Sequence, residues 1–170
     1  MFHFTLWMPY YEKENFSCIS RFLCMGSVAM ADLATSEGSL GGIYPGASTT
    51  YITEIYGIPD EDTPAKYTAA WDEYTKFIKY GNSVSFYCTG KTANGPFDVV
   101  MIHISANNGF ATPRGIHVGS TRRAVYNAYG RPYVNQGNGK HLWYKVEKRG
   151  NLVIHFKGDI VESINLGWNA

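Results

Sequence analysis

Gly42-Ile43-Tyr44-Pro45-Gly46 returns 73 positions later as Gly115-Ile116-His117-Val118-Gly119. The register continues through Ile52 and Val125, Tyr56-Gly57 and Tyr129-Gly130, and Pro59 and Pro132. At an offset of 69, Lys79-Tyr80-Gly81-Asn82-Ser83-Val84 is matched by Lys148-Arg149-Gly150-Asn151-Leu152-Val153. At an offset of 61, Asp98-Val99-Val100 meets Asp159-Ile160-Val161. Blocks that recur in one order, with the slack between them in loop-like sequence, read as an internal duplication.

Each copy reads as one helix followed by strands. Ser48 or Thr49 offers a capping oxygen to a free backbone N–H. Ile52, Ile55 and Tyr56 then share one helical face. Gly57 can take the left-handed conformation that stops the helix, and Pro59 prevents its continuation. The second copy repeats this with Ser120 or Thr121, then Val125, Ala128 and Tyr129, then Gly130 and Pro132. Strands are predicted at Tyr74 to Tyr80, Ser83 to Thr89 and Asp98 to Ser105, and again at Leu142 to Lys148, Leu152 to Lys157 and Ile160 to Leu166. Gly81-Asn82 and Gly150-Asn151 supply turns. Thr63-Pro64 predicts a short extra helix running towards Trp71, with Thr as cap and Pro at the first position. Alternation turns Phe77, Val84, Phe86, Tyr144, Val146, Ile154 and Phe156 towards the helices, and Tyr74, Lys76, Ser85, Tyr87, Trp143, Lys145 and His155 the other way. Val99-Val100 and Ile160-Val161 offer apolar residues to both faces and leave the last strand of each copy without a register.

Neither copy is large enough for its own core, so both are expected to share one. The expected fold is α+β: two tandem helix-plus-three-strand repeats, at about 42–105 and 115–167, forming one continuous antiparallel sheet with the helices packed on one face. The chain has 170 residues, with 13 Tyr, 9 Phe, 4 Trp and 18 Gly, a composition that favours sheets and tight turns over a helical bundle. Its 15 Lys and Arg against 14 Asp and Glu leave +1, too little for the basic footprint of a nucleic-acid binder. It contains no run of 18 apolar residues, which excludes a permanent helical transmembrane span.

Residues 1–31 stand apart from the rest. Arg21 precedes Phe22-Leu23-Cys24-Met25-Gly26-Ser27-Val28-Ala29-Met30-Ala31, an apolar run that ends in the small-x-small pattern a signal peptidase accepts. We read 1–31 as a signal or targeting segment and 32–170 as a single duplicated domain. An ordinary buried strand or helix, or a misassigned start codon, is the alternative. Cleavage after Ala31 leaves one cysteine, Cys88, so the domain is expected to hold itself without an internal disulfide. Cys18, Cys24 and Cys88 lack zinc-ligand spacing.

The pattern of Val118-Gly119-Ser120-Thr121, Val125, Tyr129-Gly130-Arg131-Pro132, Trp143-Tyr144 and Leu152-Val153-Ile154-His155-Phe156 resembles the SmpA/OmlA (BamE) envelope family. That family's repeat runs Gly-(Met/Ser)-Thr, a helix, and Leu-Gly-x-Pro before a small sheet. Its tandem arrangement is similar to the β-lactamase inhibitor protein fold. The first copy matches less well, with Pro45-Gly46-Ala47-Ser48 and Tyr74-Thr75 at the corresponding places. The resemblance implies an exported, non-catalytic protein that binds other proteins through a sheet surface and its loops. Two departures are plain: the inhibitor's disulfide in each repeat has no counterpart here after cleavage, and the lipoprotein cysteine is missing.

Catalytic motifs are absent: there is no Gly-x-Ser-x-Gly elbow, no phosphate-cradling loop and no His-Glu-x-x-His helix. No cofactor and no metal site are expected. His103, His117, His141 and His155 form no metal-binding pair in sequence, although His103 and His155 fall on strands that can lie close together. Tyr74, Tyr87, Trp143 and Lys145 would set aromatic rings around a cation on the sheet face away from the helices. That is the composition of an interaction hot spot, and these four are the candidate partner-binding residues. The first copy carries 4 basic and 7 acidic residues and the second 8 basic and 3 acidic. Opposite signs suit docking of the two halves on each other. They equally suit an anionic small molecule or envelope polymer held by Arg122, Arg123, Arg131, Lys140 and Arg149. The expected partner is a protein in the envelope or outside the cell, with no nucleic acid and no membrane span.

Overall fold

The computed structural model describes residues 32–168; the signal segment read at 1–31 lies outside them. Both helices start and stop at the residues chemistry nominates. Helix α1 spans Thr49–Tyr56, with the Ser48 hydroxyl accepting from the Tyr51 N–H at 3.1 Å and Gly57 at its C-cap. Helix α2 spans Arg122–Tyr129, with Thr121 accepting from the Ala124 N–H at 3.2 Å and Gly130 closing it. Gly57 and Gly130 adopt φ of +78° and +70°, where a side chain would be strained.

Among the described residues nine strands form a single antiparallel sheet: β1 Glu61–Asp62, β2 Lys66–Thr68, β3 Glu73–Tyr80, β4 Val84–Gly90, β5 Asp98–Ile104, β6 Val134–Gln136, β7 His141–Val146, β8 Gly150–Lys157 and β9 Ile160–Gly167. The order is β1-β3-β4-β5-β9-β8-β7-β6, with β2 also paired to β3. The fold is therefore α+β, an antiparallel sheet with two helices. The six strands expected from sequence form its centre, joined where Met101–Ile104 of β5 meets Ile164–Gly167 of β9.

Two rows of core side chains cross the sheet, one over six strands and one over five. Ile78, Phe86, Ile102, Leu166, Leu152 and Tyr144 stand opposite one another in turn, all buried. Val84, Ile104, Ile164, Ile154 and Leu142 form the second row. Ile52 of α1 and Val125 of α2 belong to the same cluster. The surface carrying these rows is the core face; the opposite one is the outer face.

The repeated Gly-Ile-x-x-Gly motif has a mechanical role. Ile43 and Ile116 are buried plugs. Gly46 donates to the Val99 carbonyl and Val99 donates back to Ala47; Gly119 and Val161 do the same through Ser120. Gly46 and Gly119 sit at φ of +93° and +97°, a geometry that lets the loop turn onto the strand. Bulges between Tyr87 and Cys88 and between His155 and Phe156 rotate Val99 and Val161 into the core and settle the open register. Val100 is half-buried and Ile160 is 45% exposed.

Two sequence expectations fail, and one strand forms where none is expected. No helix forms at Thr63-Pro64; β1 and β2 run there along the edge of β3. Pro64 has no N–H for a strand ladder, and Thr63 compensates, donating its N–H to the Phe77 carbonyl and accepting from the Phe77 N–H through Oγ1 at 2.8 Å. The parity of β3 is also reversed. Ile78 is the core residue, Phe77 faces outward at 41% exposure, and Tyr74 and Lys76 share the parity of Ile78. A strand reading Tyr-Thr-Lys-Phe-Ile-Lys-Tyr offers apolar residues to both faces, and pairing with buried Phe86 decides between them. Finally, β6 forms along β7 from residues with no strand signal of their own.

Candidate functional site

The outer face is a platform of two cross-strand rows. Phe77, Tyr87, Met101, Gly167, Asn151 and Lys145 follow one another across β3, β4, β5, β9, β8 and β7. The neighbouring row is Lys79, Ser85, His103, Asn165, Val153, Trp143 and Val134. Tyr87 lies 5.4 Å from the Trp71 ring and 4.8 Å from Phe77, centroid to centroid. Trp71 and Phe77 are 38% and 41% exposed, so this aromatic group meets solvent. At the far end Trp143 is half-buried, its indole N–H shielded and without an acceptor among the described residues. Val153 beside it is fully buried although it lies on the outer face.

Of the four residues expected to bind a partner, Tyr87, Trp143 and Lys145 share the outer face. Tyr74 does not: the reversed parity of β3 packs it against the core, edge-on to Tyr67 at 5.5 Å. Tyr87 and Trp143 stand four strands apart, about 19 Å at the usual strand spacing, so they mark two ends of a face and share no pocket. Lys145 is held by Asp32 at 2.7 Å and does not sit between rings. Trp71 and Phe77 were missed, because Trp71 occupies the turn before β3 and Phe77 was assigned to the wrong side.

Between the aromatic ends runs a polar stripe. His103 Nδ1 is 2.5 Å from Asn165 Oδ1, Asn165 Nδ2 is 3.1 Å from His155 Nε2, and His155 Nδ1 is 2.7 Å from His141 Nδ1. His103 and His155 are not on adjacent strands; β9 intervenes, and Asn165 links them. Burial, together with His141 and His103, holds the pKa of His155 below the usual histidine value.

The basic set divides. Arg122 is used inside the fold: it pairs with Asp159 at 2.9 Å, donates to the Gly139 and Gly158 carbonyls, and lies 4.1 Å over the Phe156 ring. Arg149 donates to the Pro45 carbonyl and stacks 4.1 Å over Tyr44. Arg123, Arg131 and Lys140 are exposed and have no ion-pair partner among the described residues. Arg131 lines an open groove of about 550 Å³ with Tyr126, Pro132, Tyr133 and Asn135. Arg123 and Tyr126 border a second of about 610 Å³.

Cys88 is buried, and burial pushes its thiol up to about 12, far from a reactive thiolate at neutral pH. Among the described residues no group of three or more His, Cys, Asp or Glu is placed to hold a metal ion. Nor is any helix among them long and apolar enough to cross a membrane.

No known family profile matches the chain, and no curated protein matches it. Among solved structures it is similar to a cysteine-rich secretory protein from Staphylococcus aureus subsp. aureus Mu50, at 11% identity and a TM-score of 0.48. The match covers 81% of this chain and spans about half of the other, 50%.

Proposed function

We propose that this chain is an exported, non-catalytic module of the cell envelope or extracellular space that binds a protein through its outer sheet face. The observation that carries the reading is the aromatic group in which exposed Trp71 and Phe77 flank half-buried Tyr87. From β3 to β7 the face measures about 24 Å across and about 25 Å along the strands. Roughly 600 Å² of mixed aromatic and polar surface, less the end where Val153 and the Trp143 indole N–H are buried, compares with the about 800 Å² that one partner of a standard interface contributes.

In this reading the platform arises by duplication of one helix-plus-three-strand unit, with both helices on the core face. Several pairs of equivalent contacts support it. α1 and α2 are 73 positions apart with the same caps. Tyr80 donates to the Gly57 carbonyl at 2.8 Å and Tyr144 to the Gly130 carbonyl at 3.0 Å. The two bulges are 68 positions apart, and their core partners Val99 and Val161 are 62 apart, one step from the offsets read in the sequence. The likeness to SmpA/OmlA-type repeats and to the inhibitor fold belongs to the same proposal.

Photo-crosslinking tests the binding surface. Benzoylphenylalanine replaces Phe77 or Trp71 in the chain expressed in its own cells, with exposed Glu54 of α1 as control position. One protein captured from both outer-face positions and not from Glu54 supports the proposal; equal capture from all three, or none, refutes it. A second reading rests on Arg123 and Arg131, cations without an ion-pair partner among the described residues that border open grooves, together with exposed Lys140: binding of an anionic small molecule or envelope polymer. Such binding weakens steeply with salt, whereas an aromatic-dependent complex does not.

A further inference from the structure

The stripe of His103, Asn165, His155 and His141 obeys a strict rule of donors and acceptors. Neutral imidazole carries one N–H and one bare nitrogen, and the side-chain amide has one donating and one accepting end. Asn165 Oδ1 faces His103 and its Nδ2 faces His155. His103 therefore carries its proton on Nδ1. His155 must be bare at Nε2 to accept from the amide, so its proton is on Nδ1. That N–H donates to His141, which must be bare at Nδ1 and protonated at Nε2. One amide orientation thus assigns the tautomer of three histidines on three strands.

We propose that this relay is a proton-responsive switch in which the Asn165 amide reverses when His155 takes up a proton. A proton arriving at His155 Nε2 meets the amide N–H₂, a donor against a donor. Turning the amide by half a rotation presents Oδ1 to the new N–H and Nδ2 to His103. His103 must then be bare at Nδ1, so its proton leaves to solvent and another is taken at Nε2. The net uptake is one proton. The imidazolium of His155 is then held between the Asn165 oxygen and His141 Nδ1. A second proton, on His141 Nδ1, finds no such refuge: two N–H groups would face each other across the present 2.7 Å. The device tolerates one proton and is broken by two.

The groups around His155 fit this sequence. His141 on β7 and His103 on β5 oppose its charge, Glu162 on β9 favours it, and burial opposes it. Ser163, its cross-strand partner on β9, is uncharged, and Lys157 further along β8 is exposed. All four members of the relay are half-buried, so protons reach them from solvent while the amide remains confined. A consequence for binding rests on the outer-face reading: a partner meets a stripe with one more positive charge once His155 has taken up its proton. The relay itself does not depend on that reading.

The test is long-range 1H–15N NMR of the labelled free protein between pH 7.5 and 4.5, which reports each imidazole tautomer separately. His103 should change from the Nδ1–H to the Nε2–H form with the same midpoint at which His155 gains its proton. In Asn165→Leu the His103 tautomer should no longer change with the His155 midpoint. Asn165→Asp accepts from both sides without turning, and should raise the His155 midpoint by about one unit or more. A His103 tautomer that stays fixed while the wild-type His155 protonates overturns the switch. So does coupling that survives in Asn165→Leu, or an unmoved His155 midpoint in Asn165→Asp. Because no partner is present, failure here leaves the crosslinking result standing, and the reverse also holds.

Discussion

Adjacent residues of β3 should give opposite phenotypes. Ile78 is 1% exposed and stands opposite Phe86 in the core row, whereas Phe77 is 41% exposed on the outer face. Truncating Ile78 to Ala leaves a cavity that Phe86 and its neighbours cannot close, at a cost of about 2–5 kcal/mol. Phe77→Ala is milder. Of about 200 Å² on a Phe side chain, roughly 120 Å² is buried; Ala keeps part of that burial and neighbours resettle over part, so a net loss of roughly 60 Å² costs about 1.5 kcal/mol at about 25 cal/mol/Å². Water refills the space, so no cavity term is added. For a domain of this size about 1 kcal/mol moves Tm by about 3 °C. Ile78→Ala should therefore lower Tm by about 10 °C and Phe77→Ala by about 5 °C. Urea unfolding with an unchanged m-value would confirm that both act on the native state. Partner binding should rank the other way. Phe77→Ala should weaken the crosslinked complex tenfold or more, while Ile78→Ala, assayed where it is folded, should stay within about threefold. A larger stability loss at Phe77 than at Ile78 would refute the strand parity, and equal binding losses would refute the surface assignment.

Gly46→Ala and Gly119→Ala should each cost about 1–2 kcal/mol by thermal denaturation through backbone strain at positive φ; a neutral effect at either would contradict the loop geometry. Trp143→Ala should destabilise by about 2–4 kcal/mol, since the half-buried ring neighbours fully buried Val153; a thermal melt unchanged from wild type would place the ring free of the fold. Cys88 should resist thiol reagents at pH 8 until the protein unfolds, and prompt modification of the native protein would contradict its burial. His155 is held below its usual value of about 6.5, so the unfolded chain binds the proton more readily. Its contribution is complete above that pH and is lost as pH falls through the lowered folded value. The urea midpoint should drop on acidification, and His155→Gln should flatten that slope.

Local signals carried most of the secondary structure. Ser48 and Thr121 cap, Gly57 and Gly130 stop, and the six long strands lie within a residue or two of where turns and alternation place them. These features depend on residues close in the chain, so they survive translation from sequence to structure. The edges did not. Thr63-Pro64 is a good helix start in isolation, but an open strand edge at β3 needed partners and recruited that segment. β6 formed for the same reason beside β7.

The candidate site was legible only where one face of a strand was unambiguous. Tyr87 and Trp143 alternate with buried neighbours and were placed correctly, whereas Tyr74 and Phe77 belong to a strand apolar on both sides. Arg122 and Arg149 read as free charge until distant carbonyls and rings enclosed them. The sequence by itself determined the helices, the long strands and the recurrence of one motif, because capping, turn and alternation rules act over a few residues. Tertiary structure alone decided which face of β3 is buried, which arginines are used up and which histidines touch. Those outcomes depend on contacts between residues far apart in the chain, 62 positions for His103 and Asn165 and 104 for Pro45 and Arg149, and no local rule reaches that far.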